Sequence, residues 1–267
     1  MRYAVMSDVH ANPAALDAAL EDSRALGCDR RILLGDMTGY GYDAKSVVDM
    51  CRREFDVVLL GNHDAACVGL DAGLEVRLNP HYDIDRMQRG DLSQEQVGWI
   101  VSREPRHEEG GFVCVHGDVV APREWGYILC DEDAERNFGC FSRRILFCGH
   151  SHHASAWRQS GAGSVRGVLV RRLSRLGALE KESVGLKLAD GARYIVNVGS
   201  VGYPRSDMCI VYCIYDDEAG EVTYRRLPFD FKGYIGAMLA HGHELPLWLA
   251  MALRAAAGRP TRGSHLS

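Results

Sequence analysis

No apolar run in this 267-residue chain approaches the roughly 18 residues of a membrane-spanning helix, so no membrane partner is expected. Nor does any block of like charge stand out. Net charge is -5 with 25% charged residues, and nothing points to a basic nucleic-acid surface. Met1 to Met6 runs directly into Ser7-Asp8 with no signal-peptide hydrophobic region, which sets the expectation of a cytoplasmic protein. The nine cysteines are odd in number and none lies in a C-x-x-C pair, so neither a zinc cluster nor a disulfide framework is supported. Cys114, Cys148, Cys209 and Cys213 sit inside apolar runs and read as buried, reduced thiols. No internal repeat or low-complexity linker is present. The 46% hydrophobic content is ordinary for a globular chain with a sizeable core. One domain over 1–257 is expected, with residues 258–267 as a disordered polar tail.

What is present is a rhythm of strand and helix. Residues 2–6 read as a strand. Asn12-Pro13 is a helix start, with Ala15, Leu16, Ala19 and Leu20 behind it and Gly27 as the stop. Arg31 to Leu34 is the next short strand, 43–53 the next helix, and Val57 to Leu60 the next strand. This alternation predicts crossover units and a largely parallel sheet. Residues 69–90 are polar and irregular, whereas 91–103 reads as a helix whose Ser93 and Gln96 are spaced as a capping box. Strands follow at 112–115 and 144–148, separated by a mixed stretch. From about 154 the pattern changes to short β-like runs at 165–170, 193–198 and 209–215, with a hairpin turn over 216–221. That material is expected to be antiparallel and to form a second sheet packed on the first. Residues 232–257 are helical in composition.

The chemistry collects where apolar runs stop. Five of them end in polar clusters: Asp8-Val9-His10, Gly35-Asp36, Gly61-Asn62-His63-Asp64, His116-Gly117 and Gly149-His150-Ser151-His152. In an open α/β sheet the carboxyl ends of the strands share one edge, so the five clusters are expected to meet in one cleft. The glycines are read as letting the backbone turn sharply at each strand end. With His63 set aside, the inventory is two Asp, four His and one Asn. That is too many ligands for one tetrahedral zinc, and it suits two divalent cations bridged by a carboxylate. Imidazole with carboxylate favours Mn, Fe, Zn, Co or Ni over Ca or Mg, and Mn is the favoured member.

In this order, D-x-H, G-D, G-N-H-D, H-G and G-H-x-H resemble the calcineurin-like metallophosphoesterase superfamily over residues 8–152. Val196 to Arg205 resembles the N-P-G-S-x-x-x-P-R segment of its small bacterial and archaeal phosphodiesterase branch, as does Gly35 to Gly41. The resemblance implies an α/β fold, a four-layer α/β/β/α sandwich of two packed mixed sheets with helices on both outer faces. It implies that Asp8, His10 and His152 hold one metal, that Asn62, His116 and His150 hold the other, and that Asp36 bridges them. His63 would face the substrate and assist the leaving group, while a hydroxide shared by the metals attacks phosphorus. Arg205 is a candidate contact for phosphate. The implied substrate is a small phosphoester, a phosphodiester or small nucleotide phosphate. A dinucleoside polyphosphate pyrophosphohydrolase and a non-enzymatic scaffold stand as alternatives, and retention of His63 argues against the scaffold. Oligomeric state is open.

Two departures from the family pattern matter. Many members carry an Asp three residues after the bridging Asp, paired with the catalytic His; here that position is Gly39, which turns attention to Asp64 or a backbone carbonyl. Val198 stands where N-P-G-S has proline, a change expected to alter a turn more than the chemistry. The absence of D-R-G lowers the case for a phosphoprotein substrate. His81, His107, His153, His241, His243 and His265 read as surface or satisfied histidines. Tyr40 reads either as lining the pocket or as core packing, with packing favoured. Gly161-Ala162-Gly163 lacks the strand-to-helix context of a dinucleotide loop. Arg166, Arg171, Arg172 and Arg175 read as a solvated face.

Overall fold

In the computed structural model the residues described are 1–70, 88–161, 163–168, 180–205 and 208–243. The expected tail, most of the 69–90 segment, His81, His265 and Arg171, Arg172 and Arg175 lie outside them. The chain forms two compact units, Met1–Asp230 and Phe231–Ser267. Of the second, helix α6 (Phe231–Ala240) is described, and it accounts for the first part of the helix expected over 232–257.

The first unit contains β1 (Arg2–Met6), α1 (Pro13–Ala25), β2 (Arg30–Leu33), α2 (Ala44–Glu54), β3 (Val57–Val58) and α3 (Asn62–Val68). It continues with α4 (Gln94–Val101), β4 (Arg106–Glu109), β5 (Phe112–Val115), α5 (Asp131–Phe138) and β6 (Ile145–Cys148). The last strands are β7 (Ser155–Gln159), β8 (Val165–Gly167), β9 (Glu182–Lys187), β10 (Arg193–Asn197), β11 (Cys209–Asp216) and β12 (Glu221–Pro228). Local signals act as read: the Asn12 side chain accepts from Ala15 N with Pro13 in the first turn, and the Ser93/Gln96 capping box is closed in both directions.

The strands build two six-stranded mixed sheets, in the orders β3-β2-β1-β11-β12-β9 and β4-β5-β6-β10-β7-β8. This corrects the expected division of labour. The late strands do not make a sheet of their own. They complete both, because β11 pairs antiparallel with β1, while β10 lies parallel to β6 and antiparallel to β7. Accordingly β1, β2 and β3 belong to one sheet and β5 and β6 to the other, so the five polar clusters come from two facing sheets and not from one open edge. The β4 hairpin partner of β5 has no clear signature in its sequence, Arg-His-Glu-Glu.

Alternation explains the core. Tyr3, Val5, Ile32 and Leu34 point inward from one sheet, and Phe112, Cys114, Ile145, Phe147, Tyr194 and Val196 from the other, joined by Val211, Cys213, Tyr215 and Tyr224. The outer face of the second sheet packs Val113, Leu146, Trp157 and Ile195 against Ala134 and Phe138 of α5. α1 buries Leu16 and Leu20 and contacts β11. The same contact has a polar component absent from the sequence reading. Buried Asp22 on α1 accepts two bonds from Arg225 (2.9 and 3.0 Å) and one from the Tyr212 hydroxyl (2.7 Å), with Lys181 at 3.1 Å. A fork of this kind pins one helix face to two strands.

Burial raises the Asp22 carboxyl pKa, and the bonds from Arg225, Tyr212 and Lys181 more than reverse it, leaving the pKa below its usual range. Asp22→Asn is therefore expected to cost about 2 kcal/mol at neutral pH in urea unfolding, since it leaves Arg225 poorly paired. The depressed folded pKa fixes the sign of the pH dependence. The stabilisation is fully present above the unfolded value of about 4 and is lost as pH falls through the folded value, so wild type and variant should converge in acid.

Candidate metal centre

Every cluster sits just beyond the carboxyl end of a strand: Asp8 and His10 after β1, Asp36 after β2, Asn62 and His63 after β3, His116 after β5, and His150 and His152 after β6. The backbone that presents them is strained. Asp8, His10, Asp36, His150 and His152 all have positive φ, between 47° and 65°. Such a conformation costs a non-glycine residue of order 1–3 kcal/mol and persists only when neighbours over-determine it. Those neighbours are identifiable. The amides of Val9 and His10 donate to the Asp36 carbonyl, and His150 N donates to Asp8 Oδ2 at 3.0 Å. Ser200 Oγ and Gly202 N both donate to the Asp8 carbonyl, and Asn197 Nδ2 ties down Gly149 O and Ser151 Oγ. The 196–205 segment is thus the clamp on the loops that carry the ligand candidates.

The imidazoles are oriented by their outer nitrogens. His10 Nδ1 donates to Thr38 O at 2.9 Å and His152 Nδ1 to Tyr203 O at 2.7 Å. Each ring in its neutral form therefore turns an Nε2 lone pair inward, and the two Nε2 atoms face each other at 3.1 Å. Asp8 Oδ1 lies 3.3 Å from His152 Nε2 and has no hydrogen-bond partner. Asp36 Oδ2 likewise has none, and stands 3.7 Å from His10 Nε2 on one side and 3.2 Å from His116 Nε2 on the other. Asn62 Oδ1 approaches the same His116 nitrogen at 3.1 Å. One donor atom each of Asp8, His10 and His152 lie within 4.8 Å of one another, as do those of Asp36, His116 and His150, and those of His10, Asp36 and His63.

Facing lone pairs and buried carboxylate oxygens without donors are what a cation would satisfy. The residues therefore fit a pair of divalent ions. Proton energetics agree. Burial pushes His10 down to about 4 and His150 down to about 3, so both are neutral at physiological pH, as metal ligation would require. Burial also opposes a charge on His116, but Asp36, then Asp8 and Asp64, overcome it and raise His116 to about 9. The protein alone thus puts a proton where a metal would replace it.

Glycine 61 acts by its size, which corrects the reading of it as a turn former. Its φ of -98° suits any residue, but a Cβ there would collide with Asp36 Oδ1 and the Asp36 amide. Asp64 is not the orienting partner of His63. Its oxygens accept from the Asp36, Gly61 and Thr38 amides at 2.8, 3.1 and 3.0 Å and from the Thr38 hydroxyl at 3.2 Å, stapling the ends of β2 and β3 together. His63 is placed by its own amide, which donates to Asp36 Oδ1 at 2.9 Å, and by packing against Tyr40 and His10 at ring-centroid distances of 4.5 and 5.1 Å. Gly39 has a φ of 85°, and its amide donates to buried Gln88. Val198 donates its amide to Cys148 O at 2.9 Å, a bond that proline forgoes.

Around this centre stand aromatic rings. Tyr40 stacks on Tyr203 at 4.4 Å and touches His10, so it lines the site as well as packing. Arg205 sits beside Tyr40, with its guanidinium 3.4 Å from the phenol oxygen, and forms no ion pair among the described residues. Tyr127 lies flat on His150, with centroids 4.1 Å apart and planes 14° off parallel. Nothing in the irregular 118–141 stretch marked Tyr127 in advance.

The profile of the calcineurin-like phosphoesterase superfamily domain matches residues 1–220. An uncharacterised protein of Methanocaldococcus jannaschii is 27% identical over 257 residues, covering 94% of this chain and 96% of that one. Among solved structures, a metallophosphoesterase from Sphaerobacter thermophilus superposes with a TM-score of 0.76 at 30% identity, covering 96% of this chain and 98% of that one. A hypothetical protein from Pyrococcus horikoshii OT3 gives 0.69 at 16% identity over 94% and 97%, a likeness of fold.

If the centre takes divalent cations, Mn or Zn at about 100 Kd should add about 2.7 kcal/mol, raising Tm by about 5 °C or more, and chelation should reverse it. Gly61→Ala, which crowds Asp36, should remove most of that increment in the same thermal-shift assay.

Proposed function

The chain belongs to the calcineurin-like phosphoesterase superfamily, and from that membership we propose that it is a dinuclear metal-dependent hydrolase of phosphodiesters or small nucleotide phosphates. The observation that carries this reading is the single donorless oxygen of Asp36, set between His10 of one ligand group and His116 of the other. A carboxylate so placed would serve two cations at once. Asp8, His10 and His152 would hold one ion, Asn62, His116 and His150 the other, with Asp36 shared. These donors suit Mn, Fe, Zn, Co or Ni. When bound, such ions supply positive charge for phosphate oxygens and lower the pKa of water.

The remaining work falls to side chains of this protein. His63 projects from the first turn of α3, against the same Asp36 whose Oδ1 its amide binds, and would hold a proton for the departing oxygen. Arg205, exposed and without a carboxylate partner among the described residues, offers guanidinium donors to a phosphate oxygen at the rim. Tyr40 and Tyr203 wall the space between them. Nine free cysteines suit a reducing, cytoplasmic compartment. Among the described residues no helix is long and apolar enough to cross a membrane.

The test is hydrolysis of bis-p-nitrophenyl phosphate and p-nitrophenyl phosphate with Mn and the other ions. Turnover of neither, with any ion, overturns the proposal. His63→Ala should keep the metal-dependent rise in Tm while kcat falls about 100-fold or more. Arg205→Ala should act mainly on KM, raising it about tenfold, the loss of roughly one charge-assisted hydrogen bond.

A further inference from the structure

Tyr127 departs from the other aromatic residues at the centre. Trp125, Tyr40 and Tyr203 are buried, at 6, 6 and 4% exposure, and their rings are used in packing. Tyr127 is 46% exposed, and among the described Phe, Tyr and Trp residues it is the one that is exposed. One face of its ring is covered by His150. The other is therefore open to solvent directly over a ligand candidate. Val120 and Leu129, in the same connection between β5 and α5, are also exposed, at 50 and 60%. The connection thus exposes apolar side chains beside the charged Arg123 and Glu124. It is also locally rigid: neighbouring Trp125 adopts a φ of 56°, and a Cβ on Gly126 would collide with the Asp118 carboxylate.

A rigid ring with one face held and one face open is a stacking platform, because flat aromatic groups gain most when laid parallel and when little side-chain freedom is lost. Its position narrows the guest. A group resting there while its phosphate lies at the centre must be joined to phosphorus by a short linker. A planar ring, a short linker and an anionic phosphate together describe a nucleotide. We propose that Tyr127 is a specificity-determining residue that stacks the base of a nucleotide-type phosphoester. This rests on the phosphoesterase reading above and narrows it to one substrate class. Base–aromatic stacking tolerates any base, so preference for a base in general, more than for one base, follows.

Calorimetric titration of the Mn-loaded protein with AMP and with ribose 5-phosphate isolates the base. Wild type and Tyr127→Phe should bind AMP at least tenfold more tightly than ribose 5-phosphate, and Tyr127→Leu should bring the two within about twofold. Equal affinities in wild type, no binding of either ligand, or an unchanged ratio in Tyr127→Leu each overturn the proposal. The last is also what a purely structural role predicts: if Tyr127 only steadies His150, Tyr127→Leu weakens both ligands alike and lowers bound Mn, measured by elemental analysis. Turnover of bis-p-nitrophenyl phosphate by the same wild-type sample separates the two levels. Turnover with equal affinities sinks the stacking role alone, and no turnover with any ion sinks the phosphoesterase reading.

Discussion

Asp8 and Asp36 are fully buried carboxylates, each with one oxygen that no protein donor satisfies. Burial raises both pKa values, and the surrounding imidazoles, His152 first for Asp8 and His116 first for Asp36, reverse that and hold both below the usual range. Two ionised groups in a dry site are costly unless positive charge meets them. His116 provides some as an imidazolium, but the same ring must be neutral to act as a ligand. The arrangement is therefore frustrated in the protein alone, and divalent cations would relieve it. Much of the surrounding structure serves to keep these groups from relaxing apart.

That restraint comes from three directions. Asp64 binds the amides of residues 36, 38 and 61, so the ends of β2 and β3 cannot separate. Residues 35–37 accept hydrogen bonds from the amides of residues 8–11, which hold the left-handed turn after β1. Asn197, Ser200 and Gly202 join the second sheet's loop at 149–151 to Asp8. The two-sheet architecture explains why the last is needed. Ligand candidates come from both sheets, and backbone pairing does not cross between them. A segment leaving β10 has to stitch the two edges together. Close backbone contact is part of that seam, since a Cβ on Gly202 would strike the Val9 carbonyl.

The sequence reveals the site candidates because their signal is local: an apolar strand that ends abruptly in Asp, His or Asn needs only a few consecutive residues to be visible. Helix starts at Asn12 and Ser93 are local in the same sense. What stays hidden is set by distance along the chain. That β11 joins β1, about 200 residues earlier, is decided by which apolar faces match, and short runs such as Cys209 to Tyr215 match either sheet equally well. The Asp22–Arg225 fork spans 203 positions and carries no pattern. Gly61 was visible but misjudged, because its function depends on a carboxylate 25 residues away and not on its own φ. Tyr127 lies in a connection without periodicity, where only the fold reveals which ring meets His150.

Gly39 shows how these levels interact. Where related sequences place a carboxylate to orient the catalytic imidazole, this chain has a residue at φ 85°, a conformation an aspartate adopts only under strain. The backbone here has taken over part of the side chain's task. Gln88 accepts from Gly39 and donates to the Gly41 carbonyl, so the 39–41 turn is held from outside the centre and Tyr40 is pressed between His63 and Tyr203. The Tyr40 ring, 4.5 Å from His63 between centroids, restricts how far that imidazole can turn.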